Sequence, residues 1–216
     1  MDDLSLQDRL NRAAGRAATH TGAPHDLLRP DNPREPLSST NRILKLHASF
    51  LPLGGRHTRP VVFGENLWEG VIDAAYTRPG DILRRIDTGT IHFIAGQQPL
   101  LPVLCVRASR RLDISRAAAA STPGLNAYGA TVTATETTLA KGWPASILVG
   151  GGQGTGQSGI AADIPAGTWQ VLLPVSLNIT LRIGDRLTDD LGRIAVIATS
   201  ELTDLGWRLQ AQQANT

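Results

Sequence analysis

Two stretches of this 216-residue chain repeat one another, and that duplication restricts the fold more than any other feature. The first runs Gly80-Asp81-Ile82-Leu83, a turn containing Asp87-Thr88-Gly89, and then Ile91-His92-Phe93-Ile94-Ala95. The second runs Gly184-Asp185-Arg186-Leu187, the turn Asp189-Asp190-Leu191-Gly192, and then Ile194-Ala195-Val196-Ile197-Ala198. A one-residue gap in the turn aligns them, and each continues into a further apolar run, Val103-Leu104-Cys105-Val106 and Trp207-Arg208-Leu209. Turn residues between short β-branched runs are the signature of a β-hairpin. Their recurrence predicts two related β modules in place of one enzyme cleft.

The rest of the chain agrees with a mainly β fold of small barrel or sandwich modules preceded by an N-terminal α-helix and an extended arm. Asp2 or Asp3 can cap the helix, Leu6, Leu10, Ala13, Ala14 and Ala17 recur at helical spacing, and Gly22 with Pro24 ends it. Arg9, Arg12 and Arg16 flank that narrow apolar stripe, which must dock on the body of the chain or on a neighbouring subunit. Pro24, Pro30, Pro33 and Pro36 exclude helix and central strand from the segment that follows, so it reads as an arm lying across another surface. The expected organisation is helix and arm over 1–41, a first β module over 42–116, a linker and connecting strand over 117–142, and a second β module over 143–216. Short strands and frequent turns with one good helix point to a sandwich or barrel.

Composition narrows the function classes. Basic and acidic side chains number 21 and 19, and the basic ones are scattered arginines with only Lys45 and Lys141 as lysines. Non-specific nucleic-acid binding needs clustered cations to release counterions, and no cluster is present in the sequence. Cys105 is the single cysteine, within an apolar strand, and reads as a buried small hydrophobe. Asp2 and Asp3 are followed by no apolar stretch of signal-peptide type, and no run is long enough to span a bilayer, so a soluble protein without a secretory signal is expected.

The motifs that suggest chemistry fail on context. Gly154-Thr155-Gly156-Gln157-Ser158-Gly159 satisfies the dinucleotide fingerprint, but Pro165 leaves no room for the helix that must hold a pyrophosphate. Gln157 stands where a phosphate-binding loop would carry lysine, so Gly150 to Gly159 reads as a loop between strands. Asp185, Asp189, Asp190, Glu201 and Asp204 lack the spacing of a calcium loop, and aspartates at a hairpin tip bond their own turn. His92 alternates with Ile91 and Phe93 and is expected on the solvent face of its strand. Trp169, on one face with Val171 and Leu173, is expected in the core, while Trp207 can serve the core or an interface. No catalytic residue, cofactor or metal site is expected.

The string Gly184-Asp185-Arg186-Leu187-Thr188-Asp189-Asp190-Leu191-Gly192-Arg193, with Gly206-Trp207-Arg208-Leu209 behind it, resembles the small β-barrel head–tail connector proteins of tailed bacteriophages and prophages. The resemblance covers about a third of the chain, and Ala195 stands where that pattern often has an aromatic residue. It implies a structural virion protein of the neck, assembled in the host cytoplasm as a ring of identical subunits that joins the portal to the tail or closes the filled head. Its partners would be portal, adaptor or tail proteins, with packaged DNA nearby and no membrane. A minor tail or surface component acting as a two-module β binding protein is the alternative. The interface candidates are Arg9, Arg12, Arg16, Gly154, Gly156, Asp189, Asp190 and Trp207.

Overall fold

Helix α1 (Asp3–Thr21) is followed by strands that alternate between long hairpins and short turns: β1 (Ala23–Leu28), β2 (Arg42–Pro52), β3 (Leu67–Val71), β4 (Ile82–Arg85), β5 (Ile91–Gly96) and β6 (Val103–Arg107). A second set follows at once: β7 (Arg110–Ala117), β8 (Glu136–Gly150), β9 (Thr168–Leu173), β10 (Arg186–Asp189), β11 (Ile194–Thr203) and β12 (Gly206–Gln213). The structure, a computed structural model, describes residues 3–53, 66–117, 136–150 and 167–214.

The strands close into two antiparallel barrels. The first has the order β1-β2-β3-β6-β5-β4, and the second closes through the same set of neighbours with each strand six places later, β7-β8-β9-β12-β11-β10. The duplication seen in the hairpins therefore extends over both modules. Register supports the equivalence residue by residue. Trp68 faces Cys105 across β3 and β6, and Trp169 faces Ala211 across β9 and β12. The β5–β6 ladder slips between Ile94 and Gly96, and the β11–β12 ladder slips between Ile197 and Thr199, so one bulge is kept in both copies.

Each barrel has its own interior. Leu112, Ile114, Trp143, Trp169, Leu187, Ile197 and Ala211 fill the second. Leu27, Leu83, Ile94 and Cys105 fill the first, with Leu44, Leu46, Phe50 and Trp68 against them. The opposite side of β1, β4, β5 and β6 is also covered: Leu28, Ile82, Phe93 and Val106 pack with Leu172 of the second barrel. Burying Phe93 there contributes about 1.5–3 kcal/mol. Close approaches reinforce this contact. Ser176 Oγ donates to Gly80 O at 2.6 Å, and a Cβ on Gly80 would lie 2.8 Å from Ser176 Cβ.

Several expectations are corrected. Ala23–Leu28, assigned to the arm, is a strand bonded on both sides, to β2 and β4. Pro24 is tolerated near its start because proline there removes little from the ladder. The first barrel therefore begins before residue 42. Arg110–Ala117, assigned to the first module except for its last residue, is the opening strand of the second barrel, and the 117–142 segment contributes the start of β8. Residues 177–181, within the expected second module, form no strand, although Leu177 and Leu181 are buried. The proline-rich segment that remains, 29–41, does lie across another surface: Pro33 O accepts from Lys141 N at 3.0 Å and from Trp143 Nε1 of the second barrel.

Helix α1 docks by a face different from its leucine stripe. Asn11 and Ala18 are buried, and a Cβ on Gly15 would come within 3.0 Å of Asp73 Cβ, whereas Leu6 and Leu10 stay exposed. Small residues win this face because they let the helix lie close. Gln7 completes the dock, accepting from Leu100 N at 2.7 Å and donating to Asn11 Oδ1 at 2.8 Å.

Candidate functional site

Two constructions recur in both barrels, and the chemistry of the molecule lies in how the second of them differs. The shared one is an ion-paired clasp. The glycine of each Gly-Asp pair has positive φ, +91° at Gly80 and +90° at Gly184, which turns the following aspartate inward. Asp81 and Asp185 are each 1% exposed. Arg29, just beyond β1, donates through Nε to Asp81 Oδ1 at 2.8 Å and through Nη2 to Oδ2 at 2.7 Å. Arg116, in β7, makes the same fork onto Asp185 at 2.6 and 2.8 Å. A backbone N–H completes each carboxylate, from Arg78 at 3.0 Å and from Arg182 at 2.8 Å. Bidentate pairing fixes orientation as well as charge, so each clasp ties the first strand of its barrel to the turn entering the fourth.

Neither arginine was singled out in the sequence, because each lies far along the chain from its aspartate. A signal existed: Arg78-Pro79-Gly80-Asp81 and Arg182-Ile183-Gly184-Asp185 share an R-x-G-D string, and a buried aspartate in both copies requires a cation in both.

The second construction is the barrel mouth where the tryptophan of β3 or β9 lies. In the second barrel it is sealed. The Arg193 guanidinium sits 5.1 Å above the centre of the Trp169 ring, held by Asp189 through Nε at 2.8 Å. Trp169 Nε1 donates to Gln213 Oε1 at 3.4 Å. Asp189 also accepts from Leu191 N and Arg193 N. Burial pushes its carboxyl up, but the Arg193 side chain and these turn N–H groups outweigh that and hold it below the usual range.

The first barrel carries different residues at the same register positions. Arg85 replaces Asp189, Thr90 replaces Arg193 and Arg107 replaces Gln213, while His25 and His92 take the places of Leu112 and Ala195. The result is an open cleft of ≈ 440 Å³ lined by His25, Phe50, Trp68, Arg85, Thr90, His92 and Arg107 among others. Phe50 stacks on His92 with centroids 3.7 Å apart and meets His25 edge-on at 5.5 Å. His25 is 1% and His92 6% exposed, which corrects the expectation that His92 faces solvent. Both faces of β5 are buried, because Phe93 and Ala95 pack outward toward the second barrel and leave His92 and Ile94 pointing inward.

Burial, then the neighbouring charges of His25 and Arg107, pull His92 down to about 3. Burial likewise lowers His25, whose Nδ1 lies 2.7 Å from Ala23 O. Both imidazoles are therefore neutral near pH 7. His25 Nε2, His92 Nδ1 and Trp68 Nε1 are buried with no hydrogen-bond partner among the described residues.

The remaining expected positions separate clearly. Arg9, Arg12 and Arg16 are exposed along α1. Gly154 and Gly156, with the rest of the 151–166 segment, lie outside the described residues. Asp189 is occupied within its own mouth, and Asp190 is exposed, 3.9 Å from Arg110 Nε. Trp207 is 7% exposed and donates to Leu177 O at 3.4 Å, so it belongs to the second core. Cys105 is buried as expected, and burial pushes its thiol up to about 12, far from a reactive thiolate. No protein family, curated protein or solved structure matches the chain.

Proposed function

We propose that this chain is a structural subunit of the neck of a tailed bacteriophage or prophage, assembling head-to-tail into a ring that joins portal to tail or closes the filled head. The observation that carries the reading is the tandem of closed barrels with identical strand order, each clasped by an arginine fork onto a buried aspartate. Closure pairs every described strand with two neighbours over part of its length, so we expect copies to meet through loops, faces and the outer side of α1. That side carries Leu6 and Leu10 with Arg9, Arg12 and Arg16 around them. Contacts of one patch with a different patch on the next copy close into rings when the rotation permits. The connector-like string Gly184 to Arg193 is the β10–β11 hairpin, and its sequence resemblance supports the same assignment.

The test is assembly. Sedimentation velocity and negative-stain microscopy of the purified protein, alone and with any portal and tail proteins of the same genome, should show rings. Changing Arg9, Arg12 and Arg16 together to glutamate should abolish them without lowering the melting temperature. A protein that stays monomeric with every such partner would refute the assignment.

A further inference from the structure

The two mouths differ in a way that duplication does not require. In the second, the indole N–H, the cation and the turn are all answered by oxygens of the chain itself, those of Asp189 and Gln213. In the first, every one of these oxygen-bearing positions has become a cation. Arg85 takes the Asp189 position and Arg107 the Gln213 position, and Thr90 is too short to cover Trp68. Arg85 is paired with Asp87 on both oxygens, Nη2 donating to Oδ2 at 2.8 Å and Nε lying 2.7 Å from Oδ1, so it is partly neutralised. Arg107 has no acidic partner among the described residues. The neutral imidazoles below add no negative charge.

We propose that the open mouth of the first barrel binds a small oxyanion, a carboxylate or phosphate group, between Arg85 and Arg107 above the ring of Trp68. The second barrel supplies the template, since its own Asp189 carboxylate and Gln213 amide fill the equivalent space. An external oxyanion gives Arg107 the acceptor that no acidic side chain among the described residues supplies, while Arg85 is already shared with Asp87. Guanidinium pairs hold such groups in fixed geometry, and the buried aromatic floor beneath the open mouth lowers the local dielectric on one side. The inference stands apart from the neck assignment, because it rests on the comparison of the two barrels alone.

The experiment uses the full-length protein labelled with ¹⁵N and follows its indole N–H signals. Trp68→Phe and Trp169→Phe variants assign the two that matter. Inorganic phosphate, acetate and chloride are titrated at matched ionic strength. The Trp68 signal should move saturably with phosphate or acetate and not with chloride, while Trp169 stays fixed. Response to phosphate alone marks a phosphate-bearing ligand, and response to acetate alone marks a carboxylate. Arg107→Gln, an exposed change, should weaken the apparent affinity about tenfold or more. Building the second mouth into the first with Arg85→Asp, Thr90→Arg and Arg107→Gln should remove the response and leave the Trp169 signal in place. A Trp68 signal that does not move, that follows chloride equally, or that is indifferent to Arg107→Gln overturns the proposal. If the triple variant fails to fold, the single Arg107→Gln comparison decides.

Discussion

Breaking the second clasp from its two ends should cost different amounts, and the order of the two costs is the informative quantity. Asp185 is buried and accepts three hydrogen bonds, two from the Arg116 fork and one from Arg182 N. Arg116→Met leaves that carboxylate in the interior with the single backbone donor. Removing one partner of a buried pair typically costs about 3–5 kcal/mol. The Arg116 side chain is 30% exposed, so water can partly replace it and the lower end, about 3 kcal/mol, is expected. Asp185→Ala removes the buried charge itself, frees Arg116 to turn to solvent, and strands one N–H, at about 1–2 kcal/mol. The double variant should then be little worse than Asp185→Ala, giving a coupling energy of about 3 kcal/mol. Urea unfolding followed by tryptophan emission suits the measurement, because Trp143, Trp169 and Trp207 all report on the second barrel. The melting temperature of Arg116→Met should fall by roughly 6–12 °C. If Arg116→Met proves no more costly than Asp185→Ala, the carboxylate is not the buried liability described and the clasp reasoning fails.

Three further outcomes follow from the paired design. Gly80→Ala and Gly184→Ala both force an L-residue into positive φ, at about 1 kcal/mol. Gly184 has open space around its missing side chain while Gly80 abuts Ser176, so Gly80→Ala should be clearly more destabilising, and equal losses in thermal melts would deny the close approach. For pH, His92 titrates near 3 in the folded chain against about 6.5 unfolded. Its contribution is complete above pH 6.5 and falls as pH drops toward 3, by up to about 1.4 kcal/mol per unit. His25→Leu with His92→Ala, the residues of the second barrel, should flatten urea midpoints across that window; an unchanged slope would contradict the burial. Asp189, held low, stabilises above about pH 3.9 and loses that contribution as pH falls through its lower folded value, so Asp189→Asn should shift the acid-unfolding limb, and an identical limb would argue against the Arg193 lid.

Much of the architecture was legible because hairpins announce themselves locally. Asp87-Thr88-Gly89 and Asp190-Leu191-Gly192 sit between short apolar runs, and both fold as β-turn-β with a glycine at positive φ. Trp169 and Cys105 were readable from alternation. β1 was hidden because Pro24, His25 and Asp26 look like arm residues; only closure of the barrel makes His25 an inward position and pairs Asp26 with Arg84 at 3.1 Å. His92 was misplaced for a related reason: when one barrel packs on another, both faces of a strand are buried, and alternation no longer says which is wet. The difference between the two mouths was beyond a single strand's pattern, since it appears only when Arg85, Thr90 and Arg107 are set against Asp189, Arg193 and Gln213 in register. The clasp arginines were missed because long-range pairing leaves no mark at local spacing.

The joint between the barrels is only Ala108 and Ser109, and its two amides are committed to opposite sides: Ala108 N bonds Ile91 O at 3.0 Å and Ser109 N bonds Ala145 O at 2.9 Å. A hinge needs slack, and this connection has none. Any change in the angle between the barrels would therefore have to break one of these two bonds.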